Sequence, residues 1–248
     1  MNEAQRQGAS VHPQPQSWSG SLRERVVRAG RPIHKRLRKE KLKLFLEMLA
    51  NAKKNTLLDV GGDTGIDSEW VPLYQAFGEV TVVNVEPSPD QHPLPHVRRI
   101  VADGCCLPFA NGSFDWVFSN AVLEHVGGAE RQRKFAEEIS RVAKYGYFVT
   151  TPNKLFPIEP HTLLPLYQFL PERWQRTLVR VSPYYVHAYE EIRLLGSRDM
   201  RELFPGARIV STGFPIVGTS LVAMRTERLA RVEGWAMGSI AEGKTTEP

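Results

Sequence analysis

The chain has 248 residues, of which 42% are hydrophobic and 24% charged, and its formal net charge is +5. These proportions are ordinary for a globular protein, and no apolar run approaches the ~18 residues that a membrane-spanning helix needs. The two cysteines, Cys105 and Cys106, are adjacent, a spacing that suits neither a structural disulfide nor a zinc site. The N-terminus also lacks the pattern of a secretory signal. We therefore expect one domain, long enough to be a catalytic domain, in a reducing, cytoplasmic compartment.

The N-terminal region divides into two parts. Residues 1–20 are rich in Gln, Ser, Gly and Pro, and we expect a disordered tail there. Residues 21–52 are expected to form a helical arm, because apolar residues recur at near-helical spacing between Pro32 and Ala50. Within the arm, residues 23–43 hold ten Lys or Arg against two Glu, a local charge of +8 that leaves −3 for the rest of the chain. This predicts a basic amphipathic helix that docks through its C-terminal half.

Seven short runs of strand-forming residues follow, and segments of helix or loop separate most of them. The runs are 56–60, 80–85, 97–102, 114–119, 145–150, 207–212 and 219–224, and a further helix is expected near Ser197–Phe204. Strands that alternate with helices favour a parallel sheet joined by right-handed crossovers. The fold class predicted from this pattern is α/β.

A glycine-rich turn, Gly61-Gly62-Asp63-Thr64-Gly65, follows the first strand and precedes a helical segment. Such a turn lets the backbone approach a ligand at the carboxyl edge of a parallel sheet. Glu86 lies 21 residues beyond Gly65, the usual interval for a carboxylate that binds ribose hydroxyls. Both features predict a nucleoside ligand, but NAD-dependent enzymes share them.

Four motifs between residues 55 and 153 resemble, in order and spacing, those of the class I S-adenosylmethionine-dependent methyltransferases. They are LLDVGGDTG at 57–65, VNVEPS at 83–88, ADGCCLPF at 102–109 and GSFDWVFSNAVLEHV at 112–126. The resemblance implies a Rossmann-like three-layer sandwich with a mostly parallel seven-stranded sheet and an antiparallel last strand. It also implies S-adenosylmethionine, and not a nicotinamide, as the cofactor.

The same resemblance implies which residues hold the cofactor. Asp59 would lie near the methionine ammonium, Glu86 would bind the ribose, and Asp103 would accept a hydrogen bond from the adenine amine. The full implied set is Asp59, Gly61, Gly62, Gly65, Glu86, Pro87, Asp103, Gly104 and Asn120. One departure is Asp63, where the family usually has glycine. Its carboxylate would weaken binding if it faced the methionine carboxylate, although Asp tolerates a positive φ better than most residues.

Methyl transfer from a sulfonium requires mainly that the acceptor, methyl and sulfur are aligned and that water is excluded. A hydroxyl acceptor must in addition lose a proton. The candidate bases are His125, in the last motif, and His161 and His187, in the stretch after the fifth strand. Of these we favour His161 and His125 as the candidate catalytic residues, and no ligand spacing predicts a metal site.

The Pro-rich and aromatic stretch at about 152–195 interrupts the alternation of strands and helices. Because it leaves the carboxyl end of the fifth strand, where ligands bind in such sheets, we expect a helical lid over the acceptor. The chain is thus divided into a tail (1–20), the arm (21–52), a methyltransferase domain (53–230) that contains the lid, and a C-terminal tail (231–248).

The resemblance favours O-methylation of a small-molecule, glycan or lipid acceptor in a biosynthetic pathway. A nucleic-acid substrate is disfavoured, because Ser119-Asn120-Ala121-Val122 lacks the Asn/Asp-Pro-Pro-aromatic motif that grips a flipped base. A protein substrate and a non-catalytic cofactor-binding role stay open. The basic segment 23–43 suits either a purely structural helix or peripheral contact with an anionic surface such as the inner membrane face.

Overall fold

The computed structural model describes residues 20–62, 69–87, 94–178 and 192–226. The helices are α1 (Gly20–Met48), α2 (Val71–Gln75), α3 (Ala129–Val142), α4 (Glu172–Leu178) and α5 (Ser197–Leu203). The strands are β1 (Thr56–Val60), β2 (Glu79–Asn84), β3 (Val97–Val101), β4 (Phe114–Asn120), β5 (Ala143–Pro152), β6 (Arg208–Thr212) and β7 (Ser220–Thr226). Two short 3-10 turns lie at Leu123–His125 and Tyr167–Phe169.

The seven strands form one sheet in the order β3-β2-β1-β4-β5-β7-β6. Strands β3, β2, β1, β4 and β5 run parallel, and β7 is antiparallel to both of its neighbours. The chain builds outward from β1 to β3 on one side and continues at β4 on the other, so the switch point lies between β1 and β4. A ligand crevice is expected at the carboxyl ends of the strands there. The predicted fold class is confirmed.

Helices cover both faces of the sheet and produce the three layers. On one face, Phe135 and Ile139 of α3 and Met200 of α5 pack with buried strand residues such as Leu58 and Val149. On the other face, the buried residues of α1 and α2 pack with a second set of strand side chains. The strands are therefore buried on both sides, which explains why β1 and β4 read as nearly continuous apolar runs.

The C-terminal half of α1 docks on the sheet through Phe45, whose ring stacks on Phe118 and Phe148 at centroid distances of 5.5 and 4.7 Å. Burial of such a side chain stabilises the fold by about 2 kcal/mol, and each aromatic pair adds about 1 kcal/mol. The helix begins at Gly20, one residue before the predicted arm, and contains Pro32. Proline removes one helical hydrogen bond, and because Pro32 is exposed, water can satisfy the freed carbonyl.

The segment after β5 contains two isolated bridges, one between Asn153 and Leu195 and one between Ile158 and Pro165. Asn153 also donates a hydrogen bond from Nδ2 to the Gly218 carbonyl. These contacts hold the start of the segment against the end of the sheet where β5 and β7 pair. Within the described ranges, no helix has the length and apolarity needed to cross a membrane.

Candidate active site

Two adjoining cavities open at the carboxyl edge of the sheet, at the switch point between β1 and β4. The first has a volume of about 640 Å³ and is lined by the ends of β1, β2 and β3 and by the start of α3. The second has a volume of about 440 Å³ and lies between α1, the end of β4 and the segment after β5. Ala121 and His125 line both. A ligand in one cavity can therefore contact a ligand in the other at these two residues.

The glycine turn forms the floor of the larger cavity. Gly61 has a φ of +78°, and a Cβ there would lie 2.3 Å from Val122 Cγ2. At Gly62 a Cβ would lie 2.6 Å from Asp59 Oδ2. Both positions thus require glycine, one for its backbone conformation and both for the close approach of neighbouring side chains. Asp59 is buried below the turn, where its Oδ2 accepts a hydrogen bond from the Tyr74 hydroxyl.

Asp103 and Gly104 form the opposite wall. Asp103 accepts a hydrogen bond from the Cys105 backbone N–H and forms a 2.9 Å ion pair with Arg131 at the start of α3. The Cys105 N–H is the main cause of the lowered pKa of Asp103, and Arg131 adds to it. At Gly104 a Cβ would lie 2.6 Å from the Phe135 ring. The wall is thus a carboxylate held in one position by two donors.

The residues predicted to hold the cofactor fall into four groups. Gly61, Asp103 and Gly104 line the larger cavity, and Glu86 and Pro87 follow the lining residue Val85 with exposed side chains. Asp59 and Gly62 are buried beneath the turn. The Asn120 side chain faces the smaller cavity. Gly65 lies outside the described residues. The same is true of Asp63, the departure from the family pattern, and of His187, a candidate base. The ligand contacts of all these residues stay predictions, and β2 ends two residues before Glu86.

The smaller cavity has one wall from α1 and one from the segment after β5. Ile33, Leu37 and Lys41 of α1 face Phe156, Ile158 and Leu163 across it. Lys41 is buried and donates a 2.8 Å hydrogen bond to Asn120 Oδ1, which also accepts one from Thr150. Burial lowers the pKa of Lys41 to about 8. The cavity therefore combines an apolar lining with one buried lysine.

His125 and His161 meet where the two cavities join. Their Nε2 atoms are 3.2 Å apart, and their rings are perpendicular at a centroid distance of 4.8 Å. His161 Nδ1 lies 2.6 Å from Glu159 Oε1, and Glu159 Oε2 accepts hydrogen bonds from the backbone N–H groups of His161 and Thr162. These contacts fix the orientation of the His161 ring. Burial, and then the nearby His161, lower the pKa of His125 to about 4.

The carboxylates on either side of the pair have pKa values shifted in opposite directions. Burial acts to raise the pKa of Glu159, but the hydrogen bonds from His161 and Thr162 outweigh it and hold the pKa low. Glu124 is completely buried, and burial raises its pKa to about 7. Its Oε2 accepts a 2.9 Å hydrogen bond from the Thr151 hydroxyl, whereas its Oε1 has no hydrogen-bond partner among the described residues and lies 3.9 Å from His125 Nε2.

Three residues of this cluster are not among the predicted site residues. Glu159 stands two positions before His161, and an acid so close to a candidate histidine is a local signal that the sequence offers. Glu124 directly precedes the predicted His125 in the last motif, and it lines the smaller cavity. Lys41 carries no local signal, because the docking of α1 alone brings it to Asn120, 79 positions away.

Comparison with known proteins identifies the family of the motif-bearing region. Residues 58–150 match the family described as a methyltransferase domain. This part of the chain is an S-adenosylmethionine-dependent methyltransferase domain. No curated protein matches the sequence.

Two solved structures share the fold of the methyltransferase domain. Magnesium protoporphyrin IX methyltransferase (ChlM) from Synechocystis PCC 6803, with bound SAH, is 16% identical, with 83% of this chain and 93% of that chain covered and a TM-score of 0.51. The PH0226 protein from Pyrococcus horikoshii OT3 is 15% identical, with coverages of 84% and 92% and a TM-score of 0.50. At these identities the likeness establishes the fold alone.

S-adenosylmethionine is the cofactor of the methyltransferase domain, and the larger cavity fits it. Its volume of about 640 Å³ lies within the range of small-molecule sites. Its lining also includes the carboxylate of Asp103, which can accept a hydrogen bond from an amine. The sulfonium supplies the electrophilic methyl group, while the chain binds and orients the two reactants.

Proposed function

We propose that this protein transfers the methyl group of S-adenosylmethionine to a hydroxyl of a small-molecule, glycan or lipid acceptor in a biosynthetic pathway. The observation that carries the proposal is the junction of the two cavities at Ala121 and His125. A cofactor in the larger cavity and an acceptor in the smaller one would bring methyl and acceptor together there. Such alignment of two bound reactants is a major source of rate enhancement.

On the cofactor side, the proposal keeps the roles implied by the motifs. Asp59 lies near the methionine ammonium, Glu86 binds the ribose, and Asp103 accepts from the adenine amine. The ion pair with Arg131 supports the last role, because it holds Asp103 charged at the cavity wall. The other residues of the set let the backbone approach the cofactor or support the residues that bind it. They are Gly61, Gly62, Gly65, Pro87, Gly104 and Asn120.

On the acceptor side, His125 and His161 act on the hydroxyl. Their position between the cavities supports this role, as does the orientation of His161 by Glu159. The apolar lining suits the body of a compact acceptor. A concave site of about 440 Å³ favours such an acceptor over a folded protein or a nucleic-acid duplex. The lid assignment for residues 152–195 belongs to the same proposal.

We place the protein in the cytoplasm, with peripheral contact at the inner membrane face. Five bases of α1 support this placement, because they are exposed and lie along one side of the helix, away from Phe45. They are Arg25, Arg28, Lys35, Lys39 and Lys43, and we call them the basic stripe. A lipid-soluble acceptor would be available at such a surface.

The acceptor class is tested by labelling with isotope-labelled methyl donor. The protein is incubated with S-adenosylmethionine and an extract of its source cells, and label is then measured in the small-molecule, lipid, protein and nucleic-acid fractions. Label in the first two fractions, in an O-methyl group by NMR, is expected. Label confined to the protease- or nuclease-sensitive fractions, or to N-methyl groups, would contradict the proposal.

The cofactor side is tested by Glu86→Ala, with S-adenosylhomocysteine binding measured by calorimetry. Loss of charge-assisted hydrogen bonds to the ribose should weaken binding by roughly 1 to 3 kcal/mol. Glu79→Ala is the matched control, because Glu79 is an exposed glutamate at the opposite end of β2. Equal affinities of the two variants would show that Glu86 does not bind the ribose.

A further inference from the structure

Glu124, His125 and His161 bring three metal-ligating side chains to the wall of the smaller cavity. One donor atom of each lies within 4.8 Å of the other two. All three residues line the cavity, and His125 lines the cofactor cavity as well. Two imidazoles and one carboxylate are a frequent ligand set of divalent transition ions that keep coordination positions open.

The spacing of the two histidines fits a shared ion. Two metal–nitrogen bonds of about 2.1 Å whose nitrogens lie 3.2 Å apart enclose an angle of about 100°. This value lies between the octahedral and the tetrahedral angle. Glu124 Oε1 is 3.9 Å from His125 Nε2, so a small movement of its side chain completes the set.

The groups around the cluster are those expected behind metal ligands. Glu159 contacts Nδ1 of His161 at 2.6 Å and so directs Nε2 away from itself, in the carboxylate–histidine–metal arrangement. Thr151 holds Oε2 of Glu124 in a hydrogen bond. The remaining oxygen, Oε1, is fully buried and has no hydrogen-bond partner in the part of the chain that the structure describes. A buried carboxylate oxygen of this kind requires a compensating partner.

We propose that Glu124, His125 and His161 bind one divalent first-row transition ion, and that this ion binds the acceptor hydroxyl next to the cofactor. The inference rests on the proposed function and specifies how the hydroxyl is activated. Mg²⁺ is disfavoured, because it prefers oxygen ligands and only one of the three donors is oxygen.

The step that follows is balanced without an oxidant or reductant. The hydroxyl oxygen of the acceptor coordinates the ion. The ion lowers the pKa of the hydroxyl, and the hydroxyl proton passes to solvent water. The resulting alkoxide uses a lone pair to form the bond to the methyl carbon. The carbon–sulfur bond breaks, and its electron pair stays on sulfur as S-adenosylhomocysteine is released.

The test uses Co²⁺ alone, added to chelator-treated full-length protein, with visible absorption and calorimetry as readouts. One equivalent is expected to bind with ligand-field bands, and Zn²⁺ should displace it. His161→Ala should weaken binding at least about 100-fold, and Glu159→Gln about 10- to 100-fold, the scale of losing a ligand's supporting partner. Lys154→Ala is the control, because Lys154 is exposed on the same segment.

Binding of S-adenosylhomocysteine to each variant is measured in parallel. It should be unchanged, which shows that the variants fold and separates the metal proposal from the methyltransferase assignment. If the wild type binds S-adenosylhomocysteine but not Co²⁺, Mn²⁺ or Zn²⁺ at millimolar concentration, the metal proposal is wrong and the proposed function stands. Unchanged Co²⁺ affinity in both His161→Ala and Glu159→Gln would place the ion elsewhere and overturn the proposal too.

Discussion

Lys41 is a buried residue that lowers the free energy of unfolding and at the same time lines the proposed site. Its ammonium is buried between α1 and the end of β4, where its hydrogen-bond acceptor is the neutral amide oxygen of Asn120. Burial lowers its pKa, Glu124 and Glu40 act in the opposite direction, and Arg38 adds to the lowering. A buried charge of this kind costs free energy unless it is closely paired. In the proposed site it offers a cation to an acceptor.

Lys41→Met should therefore raise the free energy of unfolding at pH 7. The pKa falls from 10.5 to about 8 on folding, which corresponds to roughly 3 kcal/mol, and loss of the hydrogen bond offsets about 1 kcal/mol. We expect a net gain of about 2 kcal/mol in urea unfolding, together with weaker acceptor methylation.

The same residue predicts a pH dependence. Between pH 8 and pH 10.5 the unfolded chain keeps the Lys41 proton and the folded chain has lost it, so Lys41 contributes stability that rises with pH across this window. Cys105, whose pKa burial raises to about 11, acts in the opposite direction above pH 9, so the Lys41 contribution is measured as the difference between the wild type and Lys41→Met. Lys41→Met should lack this rise. Parallel pH profiles of the two proteins, or a less stable variant at pH 7, would show that the buried ammonium is not destabilising.

At the scale of elements, α1 has two faces of different character. Its inner face docks through Leu42 and Phe45 and forms a wall of the smaller cavity, while the basic stripe faces outward. The sequence predicts the docking half correctly, because the apolar spacing is local information. It does not predict that the helix encloses the acceptor side, since this depends on where the helix crosses the sheet.

The basic stripe predicts binding to anionic vesicles. Each base near such a surface contributes about 1 kcal/mol before screening, so replacing Arg28, Lys35 and Lys39 by Gln should weaken binding roughly 100-fold at low salt. Sedimentation with phosphatidylserine vesicles measures this, and high salt should abolish wild-type binding. Lys53, Arg133 and Lys154 are exposed outside α1, and their replacement by Gln is the control. An equal loss of vesicle binding in both triple variants would show that binding depends on the net charge and not on the basic stripe.

The elements after β5 mark the limit of sequence-based prediction in a different way. The proline and aromatic content correctly signals that regular alternation stops at Pro152, and His161 can be singled out as a candidate. The contact of His161 with His125 cannot be predicted, because it joins residues 36 positions apart on two irregular turns. Periodicity carries information about helices and strands, and it carries none about how two loops meet.

At the scale of the whole molecule, the topology brings the loops of both halves of the sheet to one edge. The fold could be predicted because glycine turns, strand lengths and family motifs all agree, and each is a local feature. The motif residues Gly61, Asp103 and His125 also reach the cavities. Lys41 could not be assigned to the site, because its role arises from packing between distant segments. Glu159 could have been assigned, because its contact with His161 is local.

The larger cavity joins the ends of β1, β2, β3 and β4, so a bound cofactor should stabilise the entire domain. S-adenosylhomocysteine at 100 times its Kd contributes about 2.7 kcal/mol, which corresponds to a Tm increase of roughly 5 to 10 °C for a domain of this size. Thermal unfolding followed by circular dichroism should show one shifted transition. Two transitions, of which only one moves, would mean that the halves unfold separately.

Gly61→Ala tests whether this stabilisation arises at the glycine turn. The substituted residue would be held at a φ of +78°, which costs about 1 to 2 kcal/mol, and its Cβ would collide with Val122. The variant should melt lower and show little Tm shift with S-adenosylhomocysteine. Gly128→Ala is the matched control, because Gly128 lines the same cavity with a φ of −65° and has nothing within 4 Å of a Cβ. A full Tm shift in Gly61→Ala would show that ligand binding does not depend on the glycine turn.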